Sequence, residues 1–154
     1  MASKTPSADA HQEVTRFLRG MWRFNRALTQ QLEPLIESRH GIDSRIFFVL
    51  KSIQGGKHYP KMLAEHLRIP STLISRYLDQ LDKQGLVSRS IDGQDSRRTR
   101  LMLTEAGERV TRETQETLYT LVGAQLAKLD PEVLQGLLTA LDSLTDTPDE
   151  GPAA

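Results

Sequence analysis

Residues 63–107 read LAEHLRIPSTLISRYLDQLDKQGLVSRSIDGQDSRRTRLMLTEAG, and this stretch decides the fold. Leu63, Ala64 and Leu67 form the inner stripe of a short helix for which Pro60 suits the first position. After the turn Arg68-Ile69-Pro70, apolar residues recur at three- and four-residue steps over 71–84, and Gly85 ends the pattern. A two-turn helix, a tight turn and a longer helix predict a helix-turn-helix.

The periodicity of the sequence changes after Gly85. Residues 87–91 and 100–103 alternate apolar and polar side chains, which is the period of a half-buried strand. Between them lies a polar hairpin tip with one glycine and two adjacent arginines, Asp92-Gly93-Gln94-Asp95-Ser96-Arg97-Arg98. We therefore expect a mainly α fold with one small β-hairpin, here called the wing.

Long amphipathic helices are predicted on both sides of this motif. Residues 12–38 carry apolar side chains at helical spacing, with a kink expected at Pro34 and a break at Gly41. A second helix follows, capped by Asp43 or Ser44.

On the C-terminal side, Thr104 is predicted to cap a long helix, and Asp130-Pro131 begins another with a continuous leucine face. We expect a single domain over residues 12–144. In it the helix-turn-helix and wing occupy about 44–103, and long helices occupy about 12–38 and 105–144. Segments 1–11 and 145–154, rich in small and polar residues, are predicted to be mobile tails.

The composition restricts the class of protein. With 38% hydrophobic and 26% charged residues, the chain is typical of a soluble globular protein. Its apolar runs are too short to span a bilayer, and its first residues lack the apolar segment of a secretory signal. Because the chain has no cysteine, disulfides, thiolate metal sites and cysteine nucleophiles are excluded, which is compatible with a cytoplasmic protein.

No spacing of residues predicts catalysis, a cofactor or a metal site. The four histidines show no paired ligand spacing on one helix; a metal held by His40 with Glu37 is the weaker alternative. No nucleophile–base pairing, phosphate-binding glycine loop or carboxylate pair is present either. We therefore expect a protein that is not an enzyme.

Charge is unevenly distributed along this chain, whose formal net charge is zero. Residues 68–100 hold seven Lys/Arg and four Asp/Glu, whereas residues 130–154 hold six Asp/Glu and no Lys or Arg. A local positive stretch can attract phosphate even in a neutral protein, although ordinary charge scatter explains the counts equally well.

Two features indicate where a nucleic acid would bind. The outer face of the helix over 71–84 begins with hydroxyl- and arginine-bearing residues: Ser71, Thr72, Ser75 and Arg76. Such groups meet base edges and phosphates near the start of a recognition helix. Arg97 and Arg98 at the wing tip suit a narrow minor groove, and Asp95 is expected to orient Arg97. Considered separately, each feature has an ordinary explanation: the α-helical residues can form a solvated face, and Asp95 and Arg97 can form a surface ion pair of little importance to stability.

In combination, the pieces resemble the MarR family of bacterial winged-helix regulators over about 45 residues. The matching pieces are Leu63-Ala64, Ser75-Arg76, Leu81 with Gly85-Leu86-Val87 and Arg89, Asp95-x-Arg97, and Leu103-Thr104-Glu105-x-Gly107. The resemblance implies major-groove contacts from Ser71, Thr72, Ser75 and Arg76 and a wing contact from Arg97. Ser96 departs from the arginine that the family often has after the wing aspartate, and Arg98 is its possible substitute. Pro70 stands where the family commonly has a capping hydroxyl, which leaves the start of the recognition helix open by one residue.

The resemblance also implies a homodimer joined by its long helices, with Leu134, Leu137, Leu138 and Leu141 at the interface. It implies a small aromatic or anionic effector, for which Trp22, Arg26, Phe47 and Phe48 are candidates; ordinary core and surface roles are the alternative. We thus expect a transcription regulator, a repressor on palindromic double-stranded DNA. The alternative is a winged-helix module that binds proteins and has lost DNA binding.

Overall fold

The computed structural model describes residues 8–145; the remainder of the predicted tails, 1–7 and 146–154, lies outside the described residues. Within this range the chain forms six helices and one two-stranded sheet. In chain order they are α1 (Ala8–His40), α2 (Ser44–Gln54), α3 (Pro60–Leu67), α4 (Ser71–Lys83), β1 (Val87–Ile91), β2 (Thr99–Leu103), α5 (Glu105–Leu126) and α6 (Pro131–Thr145). The expected fold class, mainly α with a small wing, is confirmed.

Element boundaries differ from the sequence-based expectation at both ends. Helix α1 begins at Ala8 rather than Gln12, so residues 8–11 are helical and not part of a tail; Thr145 is helical as well. No side chain from residue 9 to residue 12 is buried, so apolar periodicity does not mark the start of α1, but Asp9 is favourable near the positive end of the helix dipole. Pro34 lies inside α1, and the helix continues to His40.

Side-chain caps set the helix starts in the middle of the chain. Asp43 caps α2, its Oδ1 accepting a hydrogen bond from the Ile46 N–H at 2.8 Å. Thr104 caps α5, its Oγ1 accepting from the Gly107 N–H at 3.0 Å. Pro70 precedes α4 with no side-chain cap, and Arg68 turns the chain between α3 and α4 at φ 52°. The turn of the helix-turn-helix is thus made by a left-handed arginine rather than a glycine.

Helices α2, α3 and α4 and the wing form one lobe, here called the winged lobe, around a common apolar core. Leu50, Leu63, Ile74, Leu81 and Leu101 are fully buried in it. Helix α1 contributes only its C-terminal part, with Leu32 and Ile36. From residue 9 to residue 31, α1 has no buried residue, and α6 has none along its whole length. The core therefore lies at one end of the molecule.

The wing is an antiparallel pair in which Val87 faces Leu103 and Ile91 faces Thr99. The segment before α3 lies beside β2, because the Leu101 N–H donates to the His58 carbonyl at 2.8 Å. At the base of the wing, Gly107 packs so closely that an added Cβ would lie 2.0 Å from the Leu86 carbonyl oxygen. Only glycine lets α5 start against the wing in this way.

Candidate nucleic-acid interface

Helix α4 presents one polar face to solvent. Ile74, Tyr77, Leu78 and Leu81 are buried on its inner side, which leaves Ser71, Thr72, Ser75 and Arg76 exposed on the outer side. The Ser75 hydroxyl donates to the Ser71 carbonyl at 3.0 Å and keeps lone pairs free to accept. No ion pair engages Arg76 within residues 8–145. The first two turns of this face thus offer hydroxyls and a free cation, with no carboxylate among them.

The first carboxylate on this face, Asp79, is paired with the wing. Arg89 of β1 places its Nη2 2.8 Å from the Asp79 Oδ1. The pair is exposed, so its contribution to folding is small. Its effect on the face is electrostatic, because Arg89 neutralises a charge that would repel phosphate. Arg89 belongs to the pattern that resembles the family, but no spacing in the sequence indicates its pairing with Asp79.

At the wing tip the two arginines have different surroundings. The Arg97 backbone N–H donates to the Asp95 Oδ1 at 3.0 Å, while the guanidinium of Arg97 has no partner in the described part of the chain. Asp95 therefore orders the turn through the backbone; the expected side-chain ion pair between Asp95 and Arg97 is not formed. The guanidinium carbon of Arg98 lies 4.1 Å from the centre of the Tyr59 ring.

Tyr59 and Asp92 form a contact that sequence analysis missed. The Tyr59 hydroxyl donates to the Asp92 Oδ2 at 2.6 Å, and the Gln94 N–H donates to the Asp92 Oδ1 at 3.0 Å. The hydrogen bond from Tyr59, followed by that from Gln94, holds the pKa of Asp92 below its ordinary value. The same bond to Asp92 raises the pKa of the Tyr59 phenol. The partners lie 33 positions apart in the sequence, so no periodic pattern indicates the contact, and only the tyrosine before Pro60 hints at it.

The predicted dimer residues remain uncovered in the single chain. Leu137, Leu138 and Leu141 are exposed and Leu134 is half-buried. Their neighbours on α6, Val133 and Leu144, are exposed as well. Helix α1 adds a second apolar surface with these exposed side chains: Val14, Phe17, Leu18, Met21, Trp22 and Phe24.

The structure does not assemble the four effector candidates into one site. The Arg26 guanidinium lies 5.1 Å from the centre of the Trp22 ring, on an exposed part of α1. Phe47 is buried in the core, where it packs against its neighbours, and its contact with a ligand stays a prediction. Phe48 is exposed beside it, at 5.5 Å between ring centres.

The alternative of a metal at His40 and Glu37 gains no support. The His40 Nε2 lies 2.9 Å from the Thr117 Oγ1, which ties α1 to α5. Within residues 8–145 no three side chains of the metal-binding types come together. Over the same range, no helix combines the length and apolar character needed to cross a bilayer.

Comparisons with known proteins agree with this geometry. Residues 47–99 match the sequence model of the MarR family. An organic hydroperoxide resistance transcriptional regulator of Bacillus subtilis is 25% identical over 127 residues, 82% of this chain and 85% of that protein.

Solved structures share the fold. A mutant MarR from E. coli, complexed with operator DNA, superposes with a TM-score of 0.72 at 22% identity, covering 86% of this chain and 96% of that one. A complex of S. aureus MepR with DNA gives 0.69 at 18% identity, covering 83% and 94%.

The helix-turn-helix followed by a two-stranded wing defines a winged-helix protein. Residues 47–99 match the MarR family of winged-helix transcriptional regulators, and the chain shares the fold of solved structures of MarR and MepR; proteins of this family are not enzymes.

Proposed function

We propose that the protein is a homodimeric repressor that binds a palindromic site in double-stranded DNA through α4 and the wing. One observation carries the proposal: the exposed face of Ser71, Thr72, Ser75 and Arg76 and the wing belong to the same packed lobe, joined by the Arg89–Asp79 ion pair. The operator complex of MarR and the DNA complex of MepR, which share the fold, support it.

The chemistry of the α4 face suits a major groove. Hydroxyls of Ser71, Thr72 and Ser75 can donate to or accept from base edges, and Arg76 can bind guanine with two parallel hydrogen bonds. Arg97 on the wing suits the narrow, electronegative minor groove of A·T-rich flanks. The two elements would therefore read different grooves of one half-site.

Two half-sites require two copies of the chain. Helices α1 and α6 each expose several large apolar side chains, as interaction surfaces do, and a second copy of the chain is the cover we propose. A two-fold dimer presents two copies of α4, and such a dimer binds a site with matching two-fold symmetry. Repression follows where such a site overlaps a promoter, which a reporter assay tests directly.

Binding and its salt dependence test the function. Wild-type protein is mixed with random-sequence duplex at low salt, and the affinity should fall as salt rises because counterions are released on binding. Arg76→Ala should cost about 1–3 kcal/mol on a selected site if Arg76 reads a base. Arg112→Ala, an exposed arginine on α5, is the matched control and should change little.

The outcomes separate the possibilities. A loss confined to one base position per half-site assigns Arg76 to a base, and an equal loss on all sequences assigns it to phosphate. Should Arg76→Ala bind both kinds of DNA normally, α4 would not be the reading helix. A wild-type protein that shifts no duplex at low salt would favour the protein-binding alternative.

We propose further that a small aromatic or anionic effector releases the DNA. Two places suit it: the exposed Trp22–Arg26 pair, and a cavity of about 430 Å³ between α1 and α5 that includes Arg39 and His40. Because Trp22 is the only tryptophan, its fluorescence reports on the first place. An aromatic acid that weakens duplex binding by the wild-type protein should no longer do so in Arg26→Ala if it binds at the first place, or in Arg39→Ala if it binds at the second. If the acid still releases DNA from both variants, both places are excluded.

A further inference from the structure

The segment that leads into α3 lies against the wing. Leu101 of β2 donates its N–H to the carbonyl of His58 at 2.8 Å, and the His58 Nδ1 lies 3.1 Å from the Leu101 carbonyl oxygen. Tyr59, the next residue, is extended and immediately precedes Pro60, the first residue of α3. Its side chain therefore starts from the helix-turn-helix and reaches the wing.

The Tyr59 side chain holds both residues that close the wing tip. Asp92 and Arg98 pair at the end of the hairpin, the Asp92 N–H donating to the Arg98 carbonyl at 2.9 Å. The Tyr59 hydroxyl donates to the Asp92 carboxylate at 2.6 Å. The Tyr59 ring lies 4.1 Å from the Arg98 guanidinium carbon, within the range of a cation–π contact. One aromatic side chain thus contacts the base of the tip on both sides.

These contacts give the two wing arginines different roles. The cation of Arg98 is engaged by the Tyr59 ring, whereas the guanidinium of Arg97 has no partner within residues 8–145. The backbone of Arg97 is fixed by the Asp95 carboxylate at 3.0 Å. The wing tip is therefore held at its base by Tyr59 and at its turn by Asp95, and the guanidinium of Arg97 is left free to bind DNA.

We propose that Tyr59 is a positioning residue for DNA binding, which holds the wing through Asp92 and Arg98 and thereby sets where Arg97 lies relative to α4. This inference rests on the proposed function. Arg98 then acts as part of the wing's support rather than as a second groove-reading arginine. An arginine held in its binding position loses less conformational freedom on binding, and so binds more tightly than one on a loose tip.

The experiment is a double-mutant cycle between Tyr59 and Arg97. Affinities are measured at fixed salt on a duplex selected by the wild-type protein from a random pool and carrying A·T-rich flanks. Tyr59→Phe keeps the ring under Arg98 but removes the hydroxyl, and it should weaken binding about two- to tenfold, the size of one hydrogen bond. In an Arg97→Ala background, Tyr59→Phe should cause no further loss, because the residue it positions is gone.

Two controls accompany the cycle. Tyr119→Phe removes the hydroxyl of an exposed tyrosine on α5, which accepts a hydrogen bond from Gln115, and it should leave affinity unchanged. Asp92→Asn keeps an oxygen that can accept from Tyr59 and should bind better than Asp92→Ala. Circular dichroism and thermal midpoints check that each variant is folded; Asp92→Ala replaces Tyr59→Phe in the cycle if the latter fails to fold.

The proposal is overturned if Tyr59→Phe weakens DNA affinity by the same factor in the wild-type and Arg97→Ala backgrounds. It is also overturned if Tyr59→Phe does not weaken affinity at all. A phenolate absorbance titration tests the contact without DNA: Asp92→Ala should lower the raised pKa of Tyr59. A wild-type protein that shifts no duplex at low salt overturns the proposed function and the positioning role together, even where the titration shows the contact. Normal duplex binding with an additive cycle overturns the positioning role alone.

Discussion

In the winged lobe, Leu50, Leu63 and Leu81 are fully buried, whereas Leu137 and Leu138 on α6 keep 41% and 42% of their surface exposed. Both sets follow the same helical spacing. In the lobe, three helices and a hairpin supply enough neighbours within one chain. At the other end, α6 and residues 9–31 of α1 have no buried residue. Helical periodicity therefore predicts that a face will be covered, and the fold decides whether the same chain covers it.

The first prediction concerns the lobe, where one added methyl group should have the largest effect. Gly107→Ala would place a Cβ 2.0 Å from the Leu86 carbonyl oxygen, which is backbone and cannot rotate away. We expect a loss of about 3 kcal/mol in the free energy of unfolding, at the upper end of the overpacking range. Urea unfolding followed by circular dichroism measures it.

Gly123→Ala is the matched control on the same helix, where the new methyl meets nothing within 4 Å. Because alanine favours a helix over glycine, this variant should gain about 0.5–1 kcal/mol. Similar changes in the two variants would mean that α5 does not start against Leu86 as described.

At the long-helix end, Leu137→Glu should break the dimer that we propose. The substitution would bury an unpaired carboxylate from each copy, and we expect the dimer to weaken on the order of a hundredfold or more. Sedimentation should show monomer, and binding to the selected duplex should fall with it. The winged lobe has its own core, so helical content should be retained.

Thr139→Glu is the control for this prediction, because Thr139 lies on the polar side of α6, opposite its leucine face. It should leave the dimer intact. A Leu137→Glu protein that stays dimeric and binds DNA normally would remove α6 from the interface.

Helix α5 connects the two regions, and two threonines on its buried face should respond in opposite directions. Both Thr111 and Thr114 are fully buried, but only the Thr111 hydroxyl has a partner, the Gly107 carbonyl at 2.7 Å. Thr114→Val should stabilise the fold by about 1 kcal/mol, because it removes an unpaired buried hydroxyl. Thr111→Val should destabilise it by about as much. Thermal unfolding of the two variants checks this prediction. If both variants are less stable than the wild-type protein, the Thr114 hydroxyl has a hydrogen-bond partner.

The sequence predicts the order of elements because each leaves a local signal. Caps such as Asp43 and Thr104, and helix-ending residues such as Gly85, act within three or four residues of one another. The buried face of α5 was harder to predict: it includes Gly107, Thr111 and Thr117, which are small or polar and carry no apolar period. Their burial follows from close packing against neighbouring elements, which periodicity does not encode.

The residues of the candidate site also fall into two groups, those that a local sequence pattern indicates and those that only the tertiary fold brings together. The exposed face of α4 follows from helical spacing, so Ser71, Thr72, Ser75 and Arg76 were found from sequence. The Asp79–Arg89 pair and the Tyr59–Asp92 bond join residues on different elements. These partners meet only through the tertiary fold, and the different surroundings of Arg97 and Arg98 arise from the same contacts.

The smallest predicted effect is a local pH dependence at the wing. Because hydrogen bonds from Tyr59 and Gln94 lower the pKa of Asp92, they stabilise the tip above about pH 4, the ordinary value for aspartate. That contribution should be lost as pH falls through the lowered pKa of the folded protein. The Gln94 amide proton, followed by NMR, should shift with a midpoint below pH 4 while the helices remain folded by circular dichroism. Asp92→Asn should abolish the shift, since it removes the titrating group and keeps an acceptor. A midpoint at or above the ordinary aspartate value would mean that Tyr59 and Gln94 do not hold the charged carboxylate.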